Sequence, residues 1–343
     1  MKEIAAELGL SRKTVSAVLN SNGQPQIVRD ETARRVREHL ELRGYVPSRQ
    51  ARQLRVAPTR VLGLLYLEGL YSHLIDAFHL LAKELGKAAP EMEIVATSPE
   101  RLEASVRSLL ARRVTDLVWI HNGARTELFR DPRLAGYLAR LRPVIYNFPF
   151  GTSLGEEELL KRGFRLVGID RTAHLHRLAR FLRRLGHRMI ALPDVALPHS
   201  GYDDLFRQAG LSIADCPPPF NADKFLNVMR RQKVTAACFH GDAPACQAIT
   251  DLKKRGVHVP EDLTVIGFDG TARSFGQNLT TLEIPVSEMV ARVGEIVAGT
   301  ESGLRHCFGL KFIKGETHGS PRGTVFTIHN GADERPNKQR EKT

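Results

Sequence analysis

The residues best suited to chemistry stand near the start of the chain. From Leu8 to Gly23 the sequence reads LGLSRKTVSAVLNSNG, in which Ser11, Arg12, Lys13, Thr14, Ser16 and Asn20 place cations, hydroxyls and an amide on a run of helical spacing. Ala5, Leu8, Val15, Val18 and Leu19 give the same region an apolar face. Arginine and lysine can donate to guanine O6 and N7, and short hydroxyls and amides suit phosphate oxygens. The same residues would also serve as the solvated face of an ordinary helical bundle. Charge alone leaves both readings open: 50 Lys and Arg stand against 38 Asp and Glu, a net +12, which suits nucleic acid, another anionic surface or no partner at all. The excess is marked at the start, where the first 57 residues hold 11 Lys and Arg against 6 Asp and Glu.

No catalytic set emerges elsewhere. Walker A and GxGxxG patterns are absent from the sequence. His174 and His176 lack the spacing of a helical zinc pair and read as part of a basic helix surface. Asp203 and Asp204 fall at a helix start, where the dipole favours them. Cys216, Cys238, Cys246 and Cys307 show neither CxxC nor metal spacing and read as reduced, mostly buried thiols. The expectation is a protein that is not an enzyme and needs no cofactor or metal. Lys2 and Glu3 charge the first turn, so no signal peptide is expected, and no apolar run approaches the ~18 residues of a membrane span. A cytoplasmic location without membrane contact is the corresponding expectation.

The elements that must position these residues divide the chain. At 343 residues it exceeds one typical core. Three short helices fit the start: Lys2 to Leu8 closed by Gly9, Arg12 to Leu19 entered through Ser11, and about Asp30 to Arg43 closed by Gly44. Val36, Leu40 and Tyr45 complete a miniature core. Pro47 stops the pattern, and SRQARQL (Ser48 to Leu54) allows one or two further turns before Pro58. From Val61 the texture changes. VLGLLYL, EIVAT, DLVWIH, PVIYNF, RLVGID, MIALP, TAACFH and LTVIGFD read as buried strands, with helices such as Leu74 to Leu85 and Leu175 to Leu185 between them. That alternation implies parallel sheets covered by helices, and eight strands imply two doubly wound lobes. From about Thr317 the pattern fades, and Ala332 to Thr343 reads as disordered.

EIAAELGLSRKTVSAVLN followed by VRDETARRVREHLELRGYVPSRQARQLR resembles the DNA-binding headpiece of the LacI/GalR family of bacterial transcription repressors. VGIDRTAHLHRLARFLRRLGHRMIAL, GVHVPEDLTVIGFDG and LTTLEIPVSEM resemble the effector-binding core of that family, in order, so that the likeness runs from residue 1 to about 318. The fold it implies is a small all-α helix-turn-helix headpiece (1–47), a hinge helix and linker (48–58), a periplasmic-binding-protein-like α/β core of two doubly wound parallel-sheet lobes (59–318) and a flexible tail (319–343). The function it implies is sequence-specific repression as a homodimer on a palindromic double-stranded DNA operator, under a small effector, a sugar or related polyhydroxy compound. A sugar receptor with a non-functional headpiece, or a regulator without ligand, are the alternatives. In this likeness Arg12 to Asn20 is the recognition helix. Ser11, Arg12, Lys13, Thr14, Ser16, Ala17 and Asn20 face the DNA, and Leu54 beside Ala51 wedges into the minor groove and kinks the duplex.

Several family positions are changed. Ala17 stands where a long polar group is common, which shifts base reading onto Arg12 and Lys13. Tyr71, Ser72 and His73 replace an Asn-Pro-aromatic run. Pro198 stands where an arginine commonly clamps the ligand, three residues before Gly201-Tyr202. Gly241-Asp242 replaces an Asn-Asp pair, so that Asp242 and Asp269 keep the acidic positions. Tyr71, His73, Asp242 and Asp269 are the expected effector residues, at the carboxyl ends of three strands. Trp119 is a further candidate platform for a sugar ring. Without the usual arginine, a neutral or weakly basic polyhydroxy ligand is expected.

Overall fold

The structure, a computed structural model, describes residues 2–20, 28–42, 60–68, 72–88, 91–121, 131–150, 155–194, 202–216, 218–271 and 276–321. The chain separates into two compact units, Met1–Arg60 and Val61–Thr343.

The first unit contains α1 (Lys2–Glu7), α2 (Arg12–Asn20) and α3 (Asp30–Leu42). Gly9 closes α1 at φ +64, a left-handed conformation that favours glycine. Ser11 opens α2: its Oγ accepts the Thr14 amide at 3.0 Å and lies 2.8 Å from the Thr14 hydroxyl. Ile4, Ala5, Val15, Val18, Ala33, Val36 and Leu40 form the core, with Leu8, Leu10 and Val28 against it. His39 of α3 meets Glu7 of α1 at 2.6 Å and ties the first helix to the third. Tyr45, the hinge segment 48–58 and the side chain of Leu19 lie outside the described residues.

The second unit holds two six-stranded sheets. The first comprises β1 (Val61–Leu67), β2 (Glu91–Thr97), β3 (Asp116–Ile120), β4 (Pro143–Phe150), β5 (Arg165–Asp170) and β11 (Arg305–Phe308), in the order β11-β5-β4-β3-β1-β2 with every pair parallel. The second comprises β6 (Met189–Ala191), β7 (Ser212–Ile213), β8 (Ala236–Cys238), β9 (Thr264–Asp269), β10 (Thr280–Glu283) and β12 (Lys311–Ile313). Its order is β12-β10-β9-β8-β6-β7, parallel except between β10 and β12. The sequence between strands supplies α4 (Ser72–Ala88), α5 (Leu102–Ala111), α6 (Pro132–Ala139), α7 (Glu156–Lys161), α8 (Arg171–Leu185), α9 (Tyr202–Gln208), α10 (Ala222–Gln232), α11 (Asp242–Lys253) and α12 (Val286–Ala298).

Strand β1 shows why such a sheet needs helices on both faces. Leu62 and Leu64 pack with Leu74, Leu81 and Met289, while Val61, Leu65 and Leu67 pack on the opposite side with Leu102, Val106 and Leu134. The two-residue alternation sends each set to a different layer, so a run apolar throughout is buried throughout. The chain passes between the sheets three times: after Asp170, at Ile284–Pro285, and between Phe308 and Lys311.

Two expectations are corrected. His174 is not on a basic surface: it is 8% exposed, and its Nε2 accepts the Leu310 amide at 2.9 Å. Burial first, then the Arg177 charge, lowers its pKa and keeps the ring neutral, as an acceptor must be. Gly319, expected at the start of a flexible tail, is held at both ends: its amide donates to Thr264 Oγ1 at 3.0 Å, and its carbonyl lies 3.0 Å from His187 Nε2. Thr317 is buried beside it, its hydroxyl donating to the Val265 carbonyl at 2.7 Å. Polar residues without periodicity are ordered here because the sheet supplies their partners. Residues 322–343 lie outside the described residues. Among the thiols, Cys238 and Cys246 are buried as expected, whereas Cys307 is exposed.

Candidate functional site

Helix α2 is built from the inside out. Val15 and Val18 are 0% and 6% exposed and fix its rotation against α3. Helical spacing then places 12, 13, 16, 17 and 20 on the other side. Arg12 and Lys13 are exposed, with Ser16 and Ala17 half-buried beside them. Neither cation forms an ion pair among the described residues, whereas Arg34 of α3 is paired with Glu38 at 3.2 Å. Ser11 and Thr14, expected at DNA, hold the helix start, so their hydroxyls serve the cap first. Ala51, Leu54 and the side chain of Asn20 lie outside the described residues.

In the second unit the strands of the second sheet end on three polar groups. β6 leads to Asp194, β8 to His240 and β9 to Asp269. The His240 amide donates to both Asp194 oxygens, at 2.9 and 3.0 Å. Burial pushes the Asp194 carboxyl up to about 6, opposed by the His240 amide and reinforced by the Asp269 charge. Asp269 is 7% exposed and takes φ +112, an uncommon conformation for a residue with a side chain. Its carbonyl accepts the Ile284 amide at 3.1 Å, which ties this strand end to the second passage between sheets.

Arg171 joins this group from the first passage. Its Nη1 donates to His240 Nε2 at 3.3 Å, and its guanidinium lies 5.3 Å from the Phe268 ring centre. His240 stacks on the same ring at 6.2 Å. On the first sheet, β3 ends at His121, whose carbonyl accepts Asn147 Nδ2 at 2.9 Å across an irregularity in β4. Burial, then the Arg171 charge, pushes the His121 ring down to about 4. Arg171 therefore bears on strand ends of both sheets.

Not every expected residue faces this cleft. Asp242 is 0% exposed, and its oxygens are taken by the chain: Oδ1 by the Thr281 hydroxyl at 2.6 Å and Oδ2 by the Thr271 amide at 2.7 Å. The geometry makes it a tie between α11, β10 and the segment after β9. Trp119 is 0% exposed in the core beneath the first sheet and offers no platform to a ligand. Tyr71, Pro198, Gly201 and the side chain of His73 lie outside the described residues. Sequence reading missed Arg171, Asp194, His240 and His121. The signal was present for three of them, since DLVWIH, LPD and CFH all end apolar runs, where ligands meet open parallel sheets. Among the described residues no cluster of three His, Cys, Asp or Glu could hold a metal, and no helix is long and apolar enough to cross a membrane.

The two buried titratable groups act on stability in opposite directions. Asp194, raised from 3.8 to about 6, penalises folding as pH rises through that window, whereas His121, lowered from 6.5 to about 4, penalises it as pH falls. Asp194→Asn removes only the first effect. Relative to the parent, this variant is expected to gain stability between pH 4 and 7, by about 3 kcal/mol at most. Urea melts of both proteins at the two pH values check this, and a difference that does not change with pH contradicts it.

Comparison with known proteins follows the same outline. Residues 179–300 match the model of the periplasmic binding protein-like domain. The HTH-type transcriptional regulator GalS of Salmonella typhimurium is 24% identical over 90% of this chain and 93% of its own length. The HTH-type transcriptional regulator AscG of Escherichia coli is 28% identical over 85% and 89%. Among solved structures, the Lac repressor dimer bound to operator and the anti-inducer ONPF aligns with a TM-score of 0.66 at 20% identity, over 92% of this chain and 98% of that one. A LacI-family transcriptional regulator from Silicibacter pomeroyi aligns with a TM-score of 0.71 at 16% identity, over 94% and 99%.

Proposed function

This chain belongs to the LacI/GalR family of bacterial transcription regulators, and we propose that it is a sequence-specific repressor that binds a palindromic operator as a homodimer under the control of a small ligand. The observation that carries the DNA reading is the pair Arg12 and Lys13, exposed and without ion pairs among the described residues, on a helix whose rotation is fixed by Val15 and Val18. Ser16, Ala17 and Asn20 continue the same side, and Ser11 and Thr14 set the helix start. Ala51 and Leu54 form the hinge contact. The relatives are HTH-type transcriptional regulators and not enzymes, which supports a regulator without catalysis.

Support for a homodimer comes from the first lobe, where Ile75 and Leu80 on α4 and Ile94 on β2 are 46%, 39% and 48% exposed. Isolated apolar residues need no partner, but three on neighbouring elements suit an interface between copies. One headpiece reads too few bases to be selective, whereas two on a dyad double the readout and require a palindrome.

The ligand belongs at the strand ends. Asp269 and Asp194 accept, Arg171 donates, and Phe268 supplies an apolar ring, a set that suits the hydroxyls and C–H face of a polyhydroxy compound. The cleft has a cation after all, in Arg171, but two carboxylates stand near it, and a neutral or weakly basic ligand remains the better fit. Tyr71 and His73 complete the proposed site, and Asp242 positions it. A thermal-shift screen of neutral sugars, sugar acids and sugar phosphates tests this. A neutral sugar at a hundred times its Kd is expected to stabilise the protein by about 2.7 kcal/mol, and Asp269→Asn to abolish the shift. Stabilisation by anionic compounds alone overturns the charge argument.

Leu54→Ala is expected to reduce operator bending and weaken specific binding while the core melts as before, because the intercalated side chain offsets the cost of unstacking through the wider contact it permits. Gel-phasing and binding assays on one operator check both effects, and unchanged bending removes Leu54 from the hinge role.

A further inference from the structure

We propose that the groove along α8 is a second binding site, which takes an acidic, amphipathic protein segment and not the cleft ligand. Arg177, Arg180, Phe181 and Arg184 form one wall, and Leu282, Leu310 and Phe312 form the floor and the other side of a depression. The three arginines are exposed and, among the described residues, form no ion pair. Lys311, between Leu310 and Phe312 in the chain, is by contrast paired with Glu288 at 2.6 Å. The spacing 177, 180, 184 places the guanidinium groups along one face of a helix over ~10 Å. Between them the floor is apolar. Phe312 is 41% exposed, and its ring centre lies 4.9 Å from that of Phe181, which in turn lies 5.3 Å from His318.

A basic rim around exposed aromatic rings fits a helix with carboxylates on one side and apolar side chains on the other. Duplex DNA would use the arginines and leave the rings unused. The chain's own end is the wrong sign, since residues 322–343 hold five Lys and Arg against three Asp and Glu. A second copy, at net +12, is also a poor complement. The occupant is therefore a separate acidic chain.

The position of the groove gives the binding a consequence. α8 starts directly after the first passage between sheets, Leu282 stands two residues before Ile284 at the second, and Leu310 lies in the third, its amide held by His174 at 2.9 Å. A segment seated here touches the third connection and the elements that adjoin the other two, so its binding and ligand binding are coupled in both directions. This coupling rests on the ligand-controlled function proposed above. The docking itself does not.

The test uses the full chain and fluorescence anisotropy with a labelled 14-residue amphipathic helix of Glu, Ala, Leu and Phe, its Lys-for-Glu counterpart, and a random-sequence duplex. The Glu peptide is expected to bind and the Lys peptide not. Arg177→Glu/Arg180→Glu/Arg184→Glu is expected to weaken the Glu peptide about tenfold or more, since three attractions become repulsions. Phe312→Ser is expected to weaken it as well, with no effect on the duplex. Phe312 is an exposed edge-strand residue, so this variant decides the matter if the triple variant fails to fold. Peptide binding unchanged by Phe312→Ser, or a triple variant that loses only duplex affinity, overturns the proposal; the latter makes the groove a DNA contact. Loss of operator binding or of sugar binding leaves these readings untouched, so failure of the proposed function and failure of the groove are told apart.

Discussion

Arg12→Ala is expected to weaken operator binding by about 2–6 kcal/mol while leaving binding to random DNA far less affected. A bidentate arginine–guanine pair is worth roughly 1–3 kcal/mol of discrimination, and a homodimer on a palindrome loses one such contact in each half-site. The variant should fold normally, because Arg12 lies at an exposed position of α2 and the Ser11–Thr14 cap does not involve its side chain. Lys13→Ala should behave alike with a smaller loss, since a flexible ammonium makes a less directional contact. Titration of each variant on operator and on random duplex, at one fixed salt concentration, measures the difference. Equal losses on both DNAs would turn the residue into a phosphate contact.

Asp242→Ala is expected to destabilise the second unit by about 3–5 kcal/mol. The carboxylate is 0% exposed and receives the Thr281 hydroxyl and the Thr271 amide, so truncation leaves buried donors without an acceptor and opens a cavity. The fit is close on the other side too. A Cβ at Gly267 would come within 2.3 Å of Asp242 Oδ1, so the strand carries a glycine where the carboxylate must pass. Because Thr271 follows the Asp269–Gly270 strand end, the variant is also expected to weaken ligand binding through Asp269, without touching the ligand itself. Urea melts measure the first effect and a ligand titration of the surviving folded protein the second. A change below about 1 kcal/mol would mean that the tie is not formed in solution.

How much of this was legible in the sequence depends on whether a residue's role is set by local pattern or by chain brought from far away. The eight strands read from the sequence centre on apolar runs, and seven of them are buried almost throughout, a property of each run by itself; β2 departs from this, an edge strand with Ile94 48% exposed. β7, β10, β11 and β12 are two to four residues each and rich in polar groups, as in TTLE and RHCF. They become strands only because a neighbour offers its edge, and no periodicity announces that. The same distinction holds at the sites. Arg12 and Lys13 could be placed on one side of α2 because Val15 and Val18 define the other. Asp242 and Asp269 look alike in sequence, each at the end of an apolar run, yet one is enclosed by Thr271 and Thr281 and the other lies at the cleft. Arg171 reads as one of many arginines in α8, and only the return of β8 and β9 brings His240 and Phe268 beneath it. His174 was misread for the same reason, since its partner Leu310 lies 136 residues away.

The central claim is that two copies of this chain read a palindrome through Arg12 and Lys13. The most direct measurement is selection of random duplexes by the full chain, followed by sequencing of the bound pool and determination of the protein-to-DNA ratio on the enriched site. The account predicts one dominant palindromic sequence bound by two copies, with enrichment lost in Arg12→Ala/Lys13→Ala. A pool without a preferred sequence, or an asymmetric site occupied by a single copy, would contradict it.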